Sequence, residues 1–548
     1  MNSESRYETE RIDHLGIVAG ICQEIGLIEE IDRQVGSSEQ KVSCGQGVQA
    51  MVLNALGFSG RALYLMPDYL HNKPVDVLIG PGLRAEDFND DSLGRSLETL
   101  YAKGVTEVFA KVAARALSVY WIEHRFVHVD SSSFHLHGQY EVEDPDKEAI
   151  TITEGYSRDH RPDLKQVVVQ LITSQKSALP IWLEVLSGNS SDKESFPLSV
   201  EAYNKQIGDG EAPYYVMDSA GYAADNLKAL KTMRWLMRVP ETLAEAKRLV
   251  RESEKAEMVS LTEGYWGRAV KLTYGEIEQR WLVVFSQAAY ERELHTLTKS
   301  QEKERLAAEK QWHKLSLQTF NCQQDAESAA KRFNQGWKFH QIVTEAAPIT
   351  RYAKRGRPTA EDEPEIVGYG LKGSLSAVSD RVEAAKRNLG KFIIATNELD
   401  EGKLSAVQML SNYTDQGISV ERGFRFLKDP LFFADSLFLK KPERIMALIM
   451  IMGLALLIYA LAERQLRLAL EKNQEKIPDQ KGKPTATPTI RWVFQIFEGI
   501  DILSIWVNGQ RTTRQVLNLG PVHQQVLQLF GREIRKCYLI NTGSIEQG

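Results

Sequence analysis

Cysteine is scarce: four residues in 548, Cys22, Cys44, Cys322 and Cys537, with no paired spacing. That excludes a disulfide framework and a thiolate zinc site, and it suits a reducing compartment. No secretory leader is expected, since Met1 to Glu10 is polar and acidic where a secretory signal is basic and then apolar. A cytoplasmic protein is the expectation. No internal repeat is present, which sets aside solenoids and arrays. Long uncharged runs are nearly absent. The exception, Ile445 to Ala462, is 18 residues between Arg444 and Glu463, at the lower edge of a bilayer span. Its glycine, its alanines and its charged helical flanks favour a buried core helix over a membrane anchor.

Apolar residues make up 43% of the chain and charged residues 26%, with 9 Trp, 19 Tyr and 19 Phe. This excludes wholesale disorder and low-complexity fibres. At roughly 150 residues per domain the length allows three to four domains, or one core carrying large insertions. Charge is unevenly spread. Residues 1 to 120 hold 11 basic and 17 acidic residues, whereas 421 to 548 hold 18 and 12. A polyanionic partner would meet the C-terminal part, although drifting surface charge gives the same asymmetry.

Residues 1–120 read as an all-helical domain, with apolar residues at helical spacing in Leu15 to Val35, Gly47 to Leu56 and Leu93 to Ala116. From 125 the texture changes to short β-branched and aromatic runs. Candidate strands are Phe126–Asp130, Val167–Ile172, Leu179–Val185, Tyr214–Asp218 and Trp235–Val239, with helices expected at Ser195–Gln206 and Ala223–Thr232. Residues 241–397 read as an insertion. It contains an extended pair, Arg268–Tyr274 and Arg280–Phe285, a charged helix from Tyr290 to Ser316, and a closing apolar strand, Lys391–Ala395. Helical signal resumes from Val420 to Leu470. Asn473 to Pro488 reads as a flexible linker to a basic C-terminal appendage, the two together spanning 473–548.

Two aspartates end apolar strands. Asp130 is followed by Ser131, Ser132 and Ser133, and Asp218 by Ser219, Ala220 and Gly221. A carboxylate at the end of a buried strand is costly to desolvate without a cap, a cation or a metal. If the strands are neighbours the two lie side by side, as hard oxygen ligands for Mg²⁺ or Mn²⁺; a helix cap or turn explains either one alone. In Val420 to Lys428, taken as a helix, Glu421, Arg425 and Lys428 fall on one stripe beside an apolar face of Val420, Phe424 and Leu427. A carboxylate next to two cations suits phosphodiester chemistry, and a solvated ion-pair helix is the plain alternative.

These residues resemble the DDE transposases of bacterial insertion sequences, specifically the insertion-sequence-four superfamily. The resemblance extends to Gly155-Tyr-Ser-Arg-Asp-His-Arg-Pro-Asp-Leu-Lys-Gln166, to Gly188-Asn-Ser-Ser-Asp192 and to Glu421 through Pro430, and it covers nearly the whole chain. It implies a fold of the α/β class: a ribonuclease-H-like mixed-sheet core, interrupted by an insertion and preceded by the all-α N-terminal domain. The core would run through 121–240 and be completed by 398–472, which carries the Glu helix and the buried helix. It also implies a DNA transposase that cleaves the ends of its element and transfers the strands into target DNA. Asp130, Asp218 and Glu421 would be catalytic and hold two Mg²⁺ or Mn²⁺ ions. Lys428, Arg425 and Arg422 would contact DNA. Two copies would act together as a homodimer on joined ends, with no membrane partner.

The sequence departs from the family pattern at one point. Four residues before Glu421, where the family has Arg, stands Gly417, and Tyr413 is one residue out of place. A DNA-binding relative that no longer cuts is therefore an alternative reading. His128, His135 and His137 around Asp130 raise a zinc hydrolase as a lesser one, and Ser131 to Ser133 lack the glycine-flanked turn of a serine nucleophile. Within the insertion, Trp266, Trp281, Trp312 and Trp337 are candidates to stack on a displaced base, against core packing for each. Arg351-Tyr-Ala-Lys-Arg-Gly-Arg-Pro358 is a candidate phosphate contact, against a solvated loop.

Overall fold

The computed structural model describes residues 5–36, 40–59, 61–137, 140, 149–157, 161–175, 178–207, 212–352, 363–429 and 439–539, with backbone alone at 193 and 416–420. The basic cluster that begins at Arg351 lies outside the described residues beyond Tyr352. The chain divides into two compact units. The first comprises Met1–Met237, Tyr274–Ile277 and Leu410–Gly548, and the second Arg238–Thr273 and Glu278–Met409.

In the first unit the N-terminal region is mainly helical. Helices Leu15–Ile25 and Leu27–Val35 are separated by Gly26 in the left-handed region (φ 62°), the usual terminator of a helix because it has no Cβ to clash. Helix Cys44–Leu56 opens on a capping box, in which the Ser43 hydroxyl accepts from Gln46 N–H and the Gln46 side chain accepts from Ser43 N–H. Helices Asp90–Lys103 and α1 (Val105–Val119) complete the layer.

The first residues are not helical. Ser5–Arg11 is a strand that pairs antiparallel with Asp501–Val507, which in turn pairs with Gln510–Leu517. The two chain ends thus form one three-stranded sheet, and Gly16 and Gly20 of the first helix lie directly against Tyr538 and Ile534. The C-terminal appendage expected at 473–548 is therefore part of the N-terminal body. The linker expected from Asn473 to Pro488 contains a small hairpin, Ile477–Pro478 with Pro484–Thr485. Asp479 turns it, its Oδ1 accepting from the N–H groups of Lys481 and Lys483, and Gly482 supplies the left-handed residue (φ 74°).

The sheet of this unit uses β1 (Phe126–His135), β2 (Gln166–Ser174), β3 (Pro180–Ser187), β4 (Tyr214–Met217) and β5 (Arg234–Arg238), in the order β3-β2-β1-β4-β5. Pairing is antiparallel from β3 through β1 and parallel from β1 to β5. Helix α2 (Asp192–Ile207) follows β3. Late in the chain come α3 (Gln416–Leu427) and α4 (Pro442–Lys472). By length and composition α4 is apolar enough to cross a membrane, yet 83% of its most apolar stretch is buried inside the protein. Gly453 lies so near Leu183 of β3 that a Cβ there would come within 2.3 Å of it. The apolar run is a core helix.

The second unit contains antiparallel strands Val259–Thr262, Tyr265–Tyr274, Ile277–Ser286 and Lys391–Thr396. A 30-residue helix, Gln287–Ser316, and a long hairpin, His340–Arg351 with Glu365–Ala377, make up much of the rest. The extended pair, the charged helix and the closing strand stand where the sequence pattern put them.

Two histidines of the first unit are buried without charge. His14 stacks on Phe494 at 4.3 Å between ring centroids, its Nε2 lies 2.8 Å from Leu56 O, and burial lowers its pKa to about 4. His128 on β1 is lowered to about 4 for the same reason. The unfolded chain binds protons at these positions that the folded chain does not, so stability is complete above pH 6.5 and falls as the pH approaches 4. The unfolding free energy from urea titrations at pH 7 and pH 5 should drop for the wild type by up to about 1.4 kcal/mol per pH unit for each histidine. His14→Gln should show a smaller drop.

Candidate active site

Parallel pairing fixes the level of the two aspartates. On β1 and β4, Phe126 aligns with Tyr214, Val127 with Tyr215 and His128 with Val216. Asp130 lies two residues beyond His128 and Asp218 two beyond Val216, so both carboxylates leave neighbouring strands at one height, with strands about 4.8 Å apart. Asp130 Oδ1 accepts from Ser131 N–H at 2.8 Å. Asp218 caps a short 3₁₀ turn, Ser219–Gly221, its Oδ1 accepting from Ala220 N–H at 2.8 Å.

Helix α3 brings the third carboxylate. Phe424 and Leu427 are buried, and the Phe424 ring lies 6.5 Å from that of Phe134 on β1. With that face turned inward, the stripe of Glu421, Arg425 and Lys428 borders a cleft of about 650 Å³, whose other walls include Asp130, Ser131, Ser132 and Asp429. Lys428 Nζ sits over the Phe134 ring at 5.6 Å, a contact that steadies the ammonium while leaving it at the cleft. The expected stripe is present. Asp218 is not among the residues that border this cleft.

Arg422 is placed differently from Arg425 and Lys428. One residue is about 100° of helical turn, so it faces away from the cleft and into a second cavity. There its Nη2 donates to both carboxylate oxygens of Glu463 on α4, at 2.5 and 2.7 Å. Glu463 also accepts from Ile490 N–H and pairs with Arg467 at 3.0 Å. Arg422, which the family resemblance named as a DNA contact with Arg425 and Lys428, therefore joins α3 to α4 and borders the second cavity, not the cleft.

The two glycine-led segments of the sequence meet next to the site. Gly155 and Gly188 are in backbone contact, since a Cβ on Gly155 would come within 2.0 Å of Gly188 O. Gln166 holds them there, its Nε2 donating to Gly188 O at 2.7 Å and to Tyr156 O at 3.2 Å. The chain leaving Gly188 enters α2 at Asp192, whose carboxylate accepts a short hydrogen bond from the Ser131 hydroxyl. Sequence reasoning singled out neither Asp192 nor Glu463 as a site residue. Asp192 closes one of the segments on which the family resemblance rests, and Glu463 is the first acid after the uncharged run. Those were the signals available.

The donors beside the cleft are hard carboxylate oxygens, the type that suits Mg²⁺ or Mn²⁺. Among the described residues no three His, Cys, Asp or Glu side chains cluster closely enough to hold a metal ion as they stand. Nor do the histidines form a zinc site. His128 is fully buried, and His135 is hydrogen-bonded to Ser157 Oγ at 2.9 Å.

Residues 121–458 match the family described as transposase DDE domain, and residues 7–114 match a domain of unknown function (DUF4277). No curated protein matches the chain. Among solved structures, the cryo-EM structure of a piggyBac transposase synaptic complex with hairpin DNA is similar over 90% of this chain and 82% of that one, at 10% identity and a TM-score of 0.37. The DDE match spans well over half of the sequence, and the chain belongs to the DDE transposase domain family. Its function is accordingly that of a DNA transposase.

The bond between α3 and α4 is testable through folding. Glu463→Ala would leave Arg422 and Arg467 with half-buried guanidiniums and no shared carboxylate. Because both are partly exposed, the expected cost is about 1–3 kcal/mol. A urea midpoint unchanged from wild type would show that the two helices are held by apolar contact alone.

Proposed function

We propose that this chain is a transposase of the bacterial insertion-sequence-four kind, with a ribonuclease-H-like core, that cuts the ends of its element and joins them to target DNA. The strand order β3-β2-β1-β4-β5, antiparallel as far as β1 and parallel beyond it, supports the core assignment. The observation that carries the reading is that Asp130 and Glu421, far apart in sequence, border one cleft together with Arg425 and Lys428.

In this reading Asp130, Glu421 and, from the adjacent strand end, Asp218 hold divalent cations. Bound Mg²⁺ or Mn²⁺, two per site, supplies the charge that activates water and stabilises the leaving 3′ oxygen. The chain's own residues do the positioning. Lys428 and Arg425 grip phosphates on either side of the scissile bond. Asp192, through the Ser131 hydroxyl, fixes the backbone that carries Asp130. Hydrolysis frees a 3′-hydroxyl, and the same cleft presents it to a target phosphodiester, so no covalent enzyme intermediate is needed. Two copies act as a homodimer on two joined ends, on DNA in the cytoplasm. Gly417 in place of the family's arginine favours a second reading, a relative that binds ends without cutting them.

Cleavage of labelled end-containing duplex in Mn²⁺ separates the two. Asp130→Asn, Asp218→Asn and Glu421→Gln should each lower the rate about a hundredfold or more, weaken Mn²⁺ binding followed by electron paramagnetic resonance, and leave DNA binding nearly intact. A variant that still cuts at the wild-type rate removes that carboxylate from the site. Wild-type protein that binds ends and never nicks them establishes the second reading. Arg425→Ala and Lys428→Ala should each reduce the slope of log K against log salt by about one.

A further inference from the structure

The second cavity, of about 1040 Å³, adjoins the catalytic cleft and shares Arg425 and Asp429 with it. Arg422, Arg467 and Trp121 are also on its walls, and two of its features are unexplained by the chemistry of the cleft.

The first is charge. Glu463 is 8% exposed and is engaged by two guanidiniums, Arg422 and Arg467. The cavity wall carries five arginines, Arg422, Arg425, Arg464, Arg467 and Arg491, against four acids, Glu123, Asp415, Asp429 and Glu463, so it is net positive, and the Arg422 and Arg467 guanidiniums remain partly open to the cavity. An anion in the cavity would complete the balance.

The second is Trp121. Helix α1 ends with Ile122 N–H bonded back to Leu117 O, and the residue between helix and strand takes the left-handed conformation, φ 49°. Glycine is the residue that adopts this conformation without cost, and a large side chain there is strained. The indole is 89% exposed, so its presence lowers stability twice over, through backbone strain and through apolar surface left in water. The four insertion tryptophans are not comparable. Trp281 is buried, Trp266 lies under Lys255 Nζ at 3.7 Å from its ring centre, and Trp312 and Trp337 pack on Phe333.

We infer that Trp121 and the arginine-lined cavity bind a single-stranded stretch of DNA, a base stacking on the indole and its phosphates meeting Arg422 and Arg467. An aromatic platform beside a cationic wall is the general means of holding unpaired strands, since every base has a face to stack and every nucleotide a phosphate. The shared Arg425 makes this cavity a continuation of the cleft, so the strand it takes is one that enters or leaves the cutting site. The inference rests on the transposase reading for the source of that strand, but not for its binding.

The test uses the full chain, EDTA to prevent cleavage, and a fluorescein-labelled oligo(dT) 20-mer against a duplex of equal length, both followed by anisotropy. Stacking is worth about 1–3 kcal/mol per base, so Trp121→Gly should weaken single-strand binding about 10- to 100-fold and duplex binding less than threefold. Trp121→Phe should restore most of the affinity. Glycine suits the left-handed position, so Trp121→Gly should melt no lower than wild type, and a loss of binding is then not a loss of fold. Single-strand affinity within twofold of wild type in Trp121→Gly overturns the inference. So does a wild type that does not bind the oligonucleotide, or a change in oligomeric state on gel filtration with binding unaltered, which would make the indole a contact between copies. If Trp121→Gly loses the strand while the wild type never nicks DNA in Mn²⁺, the single-strand site stands and the cutting assignment falls. Nicking by the wild type with unchanged strand binding in Trp121→Gly gives the reverse.

Discussion

The site depends on how helix α3 is seated on helix α4. The apolar Phe424 and Leu427 turn one face of α3 to the sheet, but the helix is short and carries charge on more than one side, so this face alone does not fix its seating. α4 settles it. Leu456 stands against Gly423, Tyr459 lies 4.2 Å from Phe426 between ring centres, and Glu463 takes Arg422 in a two-point ion pair. Three contacts one or two turns apart fix both the rotation and the height of α3, and the Glu421 stripe is thereby aimed at Asp130. α4 can impose this because it is itself immobilised by burial on nearly all sides. Each fully buried Leu or Ile along it contributes about 1.5–3 kcal/mol, which dwarfs the strength of any one contact at the cleft.

The sheet contributes the rest of the geometry with fewer parts. Parallel neighbours keep the same level. Asp130, within β1, and Asp218, just past the end of β4, each lie two residues beyond the aligned pair His128 and Val216, so they stand at one height, although β1 runs on to His135 and does not end at Asp130. Ser131 ties that edge to the start of α2 through Asp192, and the meeting of Gly155 with Gly188 is what allows the chain to reach α2 by so short a path. Sheet register and helix seating are thus independent supports. One places Asp130 and the other Glu421, and only the cleft needs both.

Local patterns were readable in the sequence and long-range choices were not. The strands of the core announce themselves as β-branched and aromatic runs ending in Asp130 and Asp218, and Glu421, Arg425 and Lys428 share a face by arithmetic of the helical turn. Arg422 shows the limit of that arithmetic. Its spacing says only that it points elsewhere, and its partner Glu463 is fixed by tertiary packing alone. The strand Ser5–Arg11 was illegible for a different reason. Its sequence, Ser-Arg-Tyr-Glu-Thr-Glu-Arg, has no apolar face, and it is extended only because Asp501–Val507 offers it an edge. Asn473 to Pro488 has the composition of a tether, yet Asp479 folds it into a hairpin by bonding its own backbone. The tryptophans of the insertion drew attention as residues, whereas what distinguishes Trp121 is a backbone angle and an exposure that no composition reveals.

The sheet formed by the two extremities of the chain has a temporal consequence. Gly16 and Gly20 are small so that Tyr538 and Ile534 can lie on them, and the strand at 501–507 is the template for the one at 5–11. During synthesis the first helices therefore emerge hundreds of residues before their cover does, and their apolar faces must wait, bare or shielded by chaperones, until residues 501–538 have been made. A chain cut short before residue 501 lacks the strand and the helix that cover those faces.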